Sequence, residues 1–138
     1  MSKVKFAILG VGNCASSLIQ GLHYYSKNSE GLWHLKVGGY KVEDLELVLA
    51  YDIDPRKVGK DISEAINYNV APKRVNLDKL GIEVKEGLML DPLPPSLNHI
   101  KDFRVKDATK LVDELKSYKV DILLNCTCSG LDKTSKLY

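Results

Sequence analysis

Phe6-Ala7-Ile8-Leu9 runs without a polar residue into Gly10-Val11-Gly12-Asn13-Cys14-Ala15, and from there Leu18, Ile19 and Leu22 recur at helical spacing. A buried strand, a turn carrying two glycines and a helix opening directly after it constrain this chain more than any other feature. Gly10 permits the tight turn. Gly12 lets backbone approach an anion with no β-carbon between them, and a residue as small as Ala15 lets helix and strand pack closely. The amides that open such a helix lack partners and lie at the positive end of its dipole, so they suit the pyrophosphate of a dinucleotide. Gly10, Gly12, Asn13, Cys14 and Ala15 are therefore candidate cofactor-binding residues. A turn without a ligand would use the same glycines, so the motif needs support from the rest of the chain.

That support belongs at the end of the next strand, where an acidic residue accepts hydrogen bonds from the adenosine ribose. Leu47-Val48-Leu49-Ala50-Tyr51 is a strand-like run ending in Asp52, with Ile53 beside it and Asp54 as the second choice of carboxylate. A carboxylate here disfavours a 2′-phosphate, so the predicted cofactor is NAD rather than NADP. Asp54-Pro55 is also a turn signal, and a strand-end turn former is the plainer role for such a residue. The usual spacing from glycines to acid is about 20 residues, and here it is about twice that. The excess is assigned to an insertion at about 26–41. Its short alternating pieces, such as Trp33-His34-Leu35-Lys36-Val37, predict a small hairpin or an extended excursion.

Taken together, Gly10-Val11-Gly12-Asn13-Cys14-Ala15-Ser16-Ser17-Leu18, Gln20-Gly21 and Tyr24-Tyr25 resemble the opening of the prokaryotic myo-inositol-1-phosphate (inositol-3-phosphate) synthases. Gly31-Leu32-Trp33-His34, Gly38-Gly39-Tyr40-Lys41-Val42, Tyr51-Asp52-Ile53-Asp54, Lys57-Val58-Gly59 and Asp61-Ile62-Ser63-Glu64-Ala65-Ile66 extend the likeness. It is specific from about Val4 to Ile66, weakens over 67–102 and returns at 120–138. The resemblance implies an isomerase that oxidises glucose 6-phosphate with bound NAD, enolises and cyclises it by an aldol step, and then reduces the product. It also implies a homo-oligomer. Members of that family are more than twice as long, and their sugar-phosphate pocket and catalytic lysines lie in the later part. No catalytic residue is therefore assigned here, and the chain alone is expected to be inactive. Another NAD-dependent dehydrogenase or reductase, and a non-catalytic NAD-binding module, stay open as alternatives.

The remaining sequence predicts short helical turns over 55–66 and a short strand at Ile82-Glu83-Val84. An extended loop is expected at Asp91-Pro92-Leu93-Pro94-Pro95-Ser96, because proline cannot continue a helix. Asp107 is placed as the cap of a helix running to about Tyr118, with Ala108, Leu111, Val112 and Leu115 at its spacing. Val120 to Cys126 then reads as a buried parallel strand. Thr127 and Ser129 follow it and are candidate ligand contacts, although capping the next helix would use them equally well. Alternation of strand and helix without repeats predicts an α/β fold with a Rossmann-like, doubly wound parallel sheet. One domain over 1–138 is expected, incomplete because the C-terminal part of the family is absent.

Composition excludes several classes. At 44% hydrophobic and 28% charged residues with a net charge of +2, no basic stripe favours nucleic acid. Lys101, Arg104, Lys106 and Lys110 alternate with Asp102, Asp107 and Asp113, which reads as a solvated face. No apolar run reaches the ~20 residues of a membrane span, and the N-terminal run passes into the glycine turn instead of a cleavage site. A cytoplasmic protein with no membrane partner is expected. Cys14, Cys126 and Cys128 form neither a disulfide framework nor a complete ligand set, so no metal is assigned.

Overall fold

The computed structural model describes residues 3–92, 95, 100 and 108–138. Four strands, β1 (Val4–Leu9), β2 (Leu45–Asp52), β3 (Val84–Glu86) and β4 (Ile122–Asn125), form one sheet in the order β3-β2-β1-β4. All neighbours pair in parallel. The helices are α1 (Asn13–Tyr25), α2 (Ile62–Ala65), α3 (Ala108–Ser117) and α4 (Asp132–Leu137). This is the predicted α/β class. The chain winds outward from β1 through β2 to β3, then returns to lay β4 on the other side of β1. The carboxyl ends of β1 and β4 therefore flank a topological switch point, where open parallel sheets bind ligands.

Alternation along β1 sends its side chains to two cores, as a parallel strand covered on both faces requires. Phe6 and Ile8 pack with Val11, Ala15 and Ile19 of the first turn and helix, and with Ile62, Ala65 and Ile66. Ala7 and Leu9 pack on the opposite face with Leu49, Tyr51 and Leu111 of α3. One irregularity positions the site. The β1–β2 register slips between Phe6↔Leu47 and Ala7↔Leu49, so Val48 is an extra residue. Such a bulge switches the strand's facing by one. Leu47 and Ala50 both reach the α1 face, and Asp52, two residues on from Ala50, arrives on the side of the glycine turn.

The α3 face is fastened by a polar network. Tyr51 Oη donates to Glu114 Oε2 (2.6 Å) and Lys85 Nζ donates to Glu114 Oε1 (2.9 Å). Burial, reinforced by Glu114, raises the Tyr51 hydroxyl far above its ordinary range. Burial also works to raise the Glu114 carboxyl, but the bonds from Tyr51 and Lys85 outweigh it and hold it below the usual carboxylate range.

Several expectations shift. Burial on α1 centres on Ala15, Ser16, Ile19 and Gln20, with Leu18 and Leu22 at the flank of the stripe. Gln20 is buried because its amide works: Oε1 accepts from Arg74 N (2.7 Å) and Val75 N (3.1 Å). The insertion makes an extended excursion whose only bridge is Val37↔Tyr40, among the described residues. Trp33 there is 94% exposed. The third strand lies at Val84–Glu86, two residues later than read. Strand β4 is parallel as expected but not buried: Ile122 is 45% exposed, because β1 alone pairs with β4 among the described residues. The Asp107 cap, the charges at 101–106 and Leu93, Pro94 and Ser96 of the proline segment lie outside the described residues.

Candidate functional site

Gly10 has φ +85°, and a β-carbon there would lie 2.8 Å from Cys126 O and 3.0 Å from Thr127 N. Its glycine is demanded by the seam between the ends of β1 and β4. Gly12 differs. Its φ is −91°, which any residue adopts, and a β-carbon there would meet no protein atom within 4 Å. Neither backbone nor packing requires glycine at that position. Gly12 is the N-cap of α1 and makes no side-chain cap bond, and the first turn carries no acidic residue. The opening amides of α1 are therefore left for another acceptor.

A cavity of about 370 Å³ lies against this turn, at the carboxyl edge of the sheet. Of the sequence-predicted residues, Gly10, Gly12, Asn13, Asp52, Ile53 and Thr127 line it. Cys14 and Ser129 are exposed, and Ala15 is fully buried on the sheet-facing side of α1; these three are not part of the lining. Asn13 uses its side chain to hold a loop, with Oδ1 accepting from Ala71 N (2.9 Å). Thr127 is fixed by its own strand end: its N and Oγ1 both donate to Asn125 Oδ1 (3.1 and 2.6 Å). Burial pushes the Cys126 thiol up, with Cys14 adding to the shift.

Asp52 is 8% exposed. Its Oδ2 accepts from Val11 N (2.6 Å) and its Oδ1 from Asp54 N (2.8 Å). The carboxylate thus ties the end of β2 to the glycine turn. Each oxygen has a second lone pair, so capacity for a ribose hydroxyl remains. Asp54, the second candidate, is gripped by Arg56, whose Nε donates to Oδ1 at 3.0 Å. Burial works to raise the Asp54 carboxyl, and the hydrogen bonds from Arg56 hold it low nonetheless. Asp52 is the carboxylate better placed to accept from a ligand.

Sequence reasoning missed two lining residues that reach the turn from a distance. Lys57 Nζ donates to Val11 O (2.8 Å) and to Asn69 Oδ1 (2.8 Å). Asn69 Nδ2 donates to both Val11 O and Gly12 O (3.1 Å each). No local period announces them, because the partners are 46 to 58 residues apart. The far wall was also unread. Asp91 caps α4 from outside the helix, accepting from Thr134 N (2.6 Å) and Thr134 Oγ1 (2.7 Å), and Tyr138 Oη accepts from Leu88 N (2.7 Å).

No protein-family profile matches the chain. Individual relatives do. The chain is 37% identical to the inositol-3-phosphate synthase of Corynebacterium glutamicum, over 99% of its own length and 40% of that protein. It is 36% identical to the enzyme of the same name from Mycolicibacterium smegmatis, over 99% and 39%. Among solved structures it superposes on the crystal structure of Ari2 with a TM-score of 0.76 and 28% identity, over 97% of this chain and 41% of that one. A myo-inositol-1-phosphate synthase-related protein from Thermotoga maritima shares the fold, with a TM-score of 0.69 and 24% identity over 97% and 40%. The chain spans about two fifths of the length of the curated relatives it matches.

Proposed function

We propose that this chain, a homologue of part of the inositol-3-phosphate synthases, is the NAD-binding portion of an enzyme of that kind. The observation that carries the reading is Gly12. It is a glycine that neither conformation nor packing demands, at an uncapped helix start on the switch-point edge of a parallel sheet. The amides of Gly12 to Ala15 hold the pyrophosphate. Asp52 accepts from the adenosine ribose, Ile53 lies beside the adenine, and Thr127 approaches the ribose next to the nicotinamide. NAD supplies uptake and return of a hydride. The substrate proposed for the whole enzyme is glucose 6-phosphate, converted to myo-inositol 1-phosphate, with self-association as a homo-oligomer. This chain's residues serve the cofactor alone.

Titration calorimetry of the 138-residue chain with NAD, followed by incubation with glucose 6-phosphate and NAD, tests this. NAD binding without inositol phosphate formation is the expected result. No NAD binding would overturn the reading. Net NADH accumulation on some substrate would favour a simple dehydrogenase instead.

Asp52→Ser should weaken NAD binding and narrow the preference over NADP, because a carboxylate repels a 2′-phosphate where it would otherwise hold ribose hydroxyls. Loss of the bond to Val11 N will also lower stability, so the readout is the ratio of the two affinities. An unchanged ratio would move the discriminating role to Asp54.

A further inference from the structure

We infer that Lys57 and Asn69 are positioning residues that turn the Gly12 and Asn13 amides toward the anion, an inference that rests on the dinucleotide reading. The two carbonyls they hold are those of Val11 and Gly12. In a planar trans peptide the carbonyl and the following N–H point in opposite directions. Fixing Val11 O and Gly12 O therefore fixes the directions of Gly12 N–H and Asn13 N–H, the first donors of the turn. The glycine fingerprint contains no such side chains, so the clamp is an addition to it.

The energetics of Lys57 point the same way. Its ammonium is buried, with 7% of the residue exposed, and sits against the N-terminal end of α1, where the helix dipole is also positive. Its ion-pair partner is Asp52, whose Oδ2 is 3.7 Å away. That is beyond hydrogen-bond reach, and Asp52 already accepts two backbone bonds. Two of the three ammonium protons go to Val11 O and Asn69 Oδ1, and no hydrogen bond is seen for the third among the described residues. Burying a cation beside a like-signed dipole end carries a cost, met here by the charge of the Asp52 carboxylate 3.7 Å away and lowered further when a second anion arrives. A bound pyrophosphate would relieve that cost, so the affinity gained through this residue should follow the ligand's phosphate charge.

The test compares ADP with adenosine by calorimetry on the 138-residue chain. Lys57→Met keeps the length of the side chain and removes its charge and its donors. It should weaken ADP by about tenfold or more while leaving adenosine within about twofold. Lys57→Arg, which restores charge and donors, should recover part of the ADP affinity. A lysine that merely supports the fold would weaken both ligands in parallel, and that result would overturn the inference. Should Lys57→Met fail to fold, Asn69→Ala carries the same comparison: a loss confined to ADP supports the clamp and a parallel loss overturns it. A wild-type chain that binds neither ligand would remove the dinucleotide reading itself, before any variant is made.

Discussion

Gly12→Val is expected to abolish measurable NAD binding, a loss of about 100-fold or more, while the chain stays folded. The separation of these two effects is what makes the variant informative. A valine at φ −91° meets no steric bar, and no protein atom lies within 4 Å of its β-carbon. The expected stability cost is that of a poorer N-cap, about 1 kcal/mol or less, which lowers the melting temperature by a few degrees. In the dinucleotide reading, however, the branched side chain fills the space the pyrophosphate takes and keeps it from the amides of α1. Calorimetry with NAD and a thermal melt on the same sample check both halves. Unchanged affinity would place the phosphate elsewhere and remove the principal support for the functional reading.

Gly10→Ala should produce the opposite pattern, with the fold failing first. The position has φ +85°, a region in which a β-carbon costs roughly 1–2 kcal/mol. The new methyl would also lie 2.8 Å from Cys126 O and 3.0 Å from Thr127 N. Both are backbone atoms and cannot rotate away. Relief requires the ends of β1 and β4 to part, which strains the bond from Cys126 N to Leu9 O (2.8 Å). A loss of about 3 kcal/mol or more is expected, a large share of the ~5–15 kcal/mol of a typical domain. A denaturant midpoint like that of the wild type would contradict the close approach on which this argument depends. Two glycines two residues apart thus answer to different demands, one to the protein's own backbone and one, in the dinucleotide reading, to the ligand.

The parts of the fold legible in the sequence are those written in local periods. Phe6 to Leu9, the helix from Asn13, the run to Asp52 and the run around Leu123 each carry an apolar pattern bounded by glycine or an acid. The resulting expectations place β1, α1, β2 and β4 within a residue or two of their observed bounds. The bulge at Val48 was not legible, because the strand reads the same with or without it and only the partner's register shows the slip. Lys57, Asn69 and Asp91 escaped for a related reason. Each does its work through one or two hydrogen bonds to backbone far away in sequence, and such contacts leave no periodic trace. The glycine turn was readable as a motif, but the difference between Gly10 and Gly12 needed the positions of their neighbours.

The placement of β1 at the centre of the sheet has a consequence for how the chain reaches this structure. Its partners are β2 and β4, and the bond from Lys5 N to Asp121 Oδ2 spans 116 residues. Strand β1 must therefore wait for more than a hundred further residues to be made before its second edge is covered by β4. Pairings of such long range are slow, because loop closure has to be met before the contacts reward it. Until β4 arrives, the edge of β1 and one flank of the glycine turn stay open to solvent and to other chains. Among the four described strands, the seam at Gly10 is thus the last to close, and the cavity beside the glycine turn gains its Cys126–Thr127 wall only when it has.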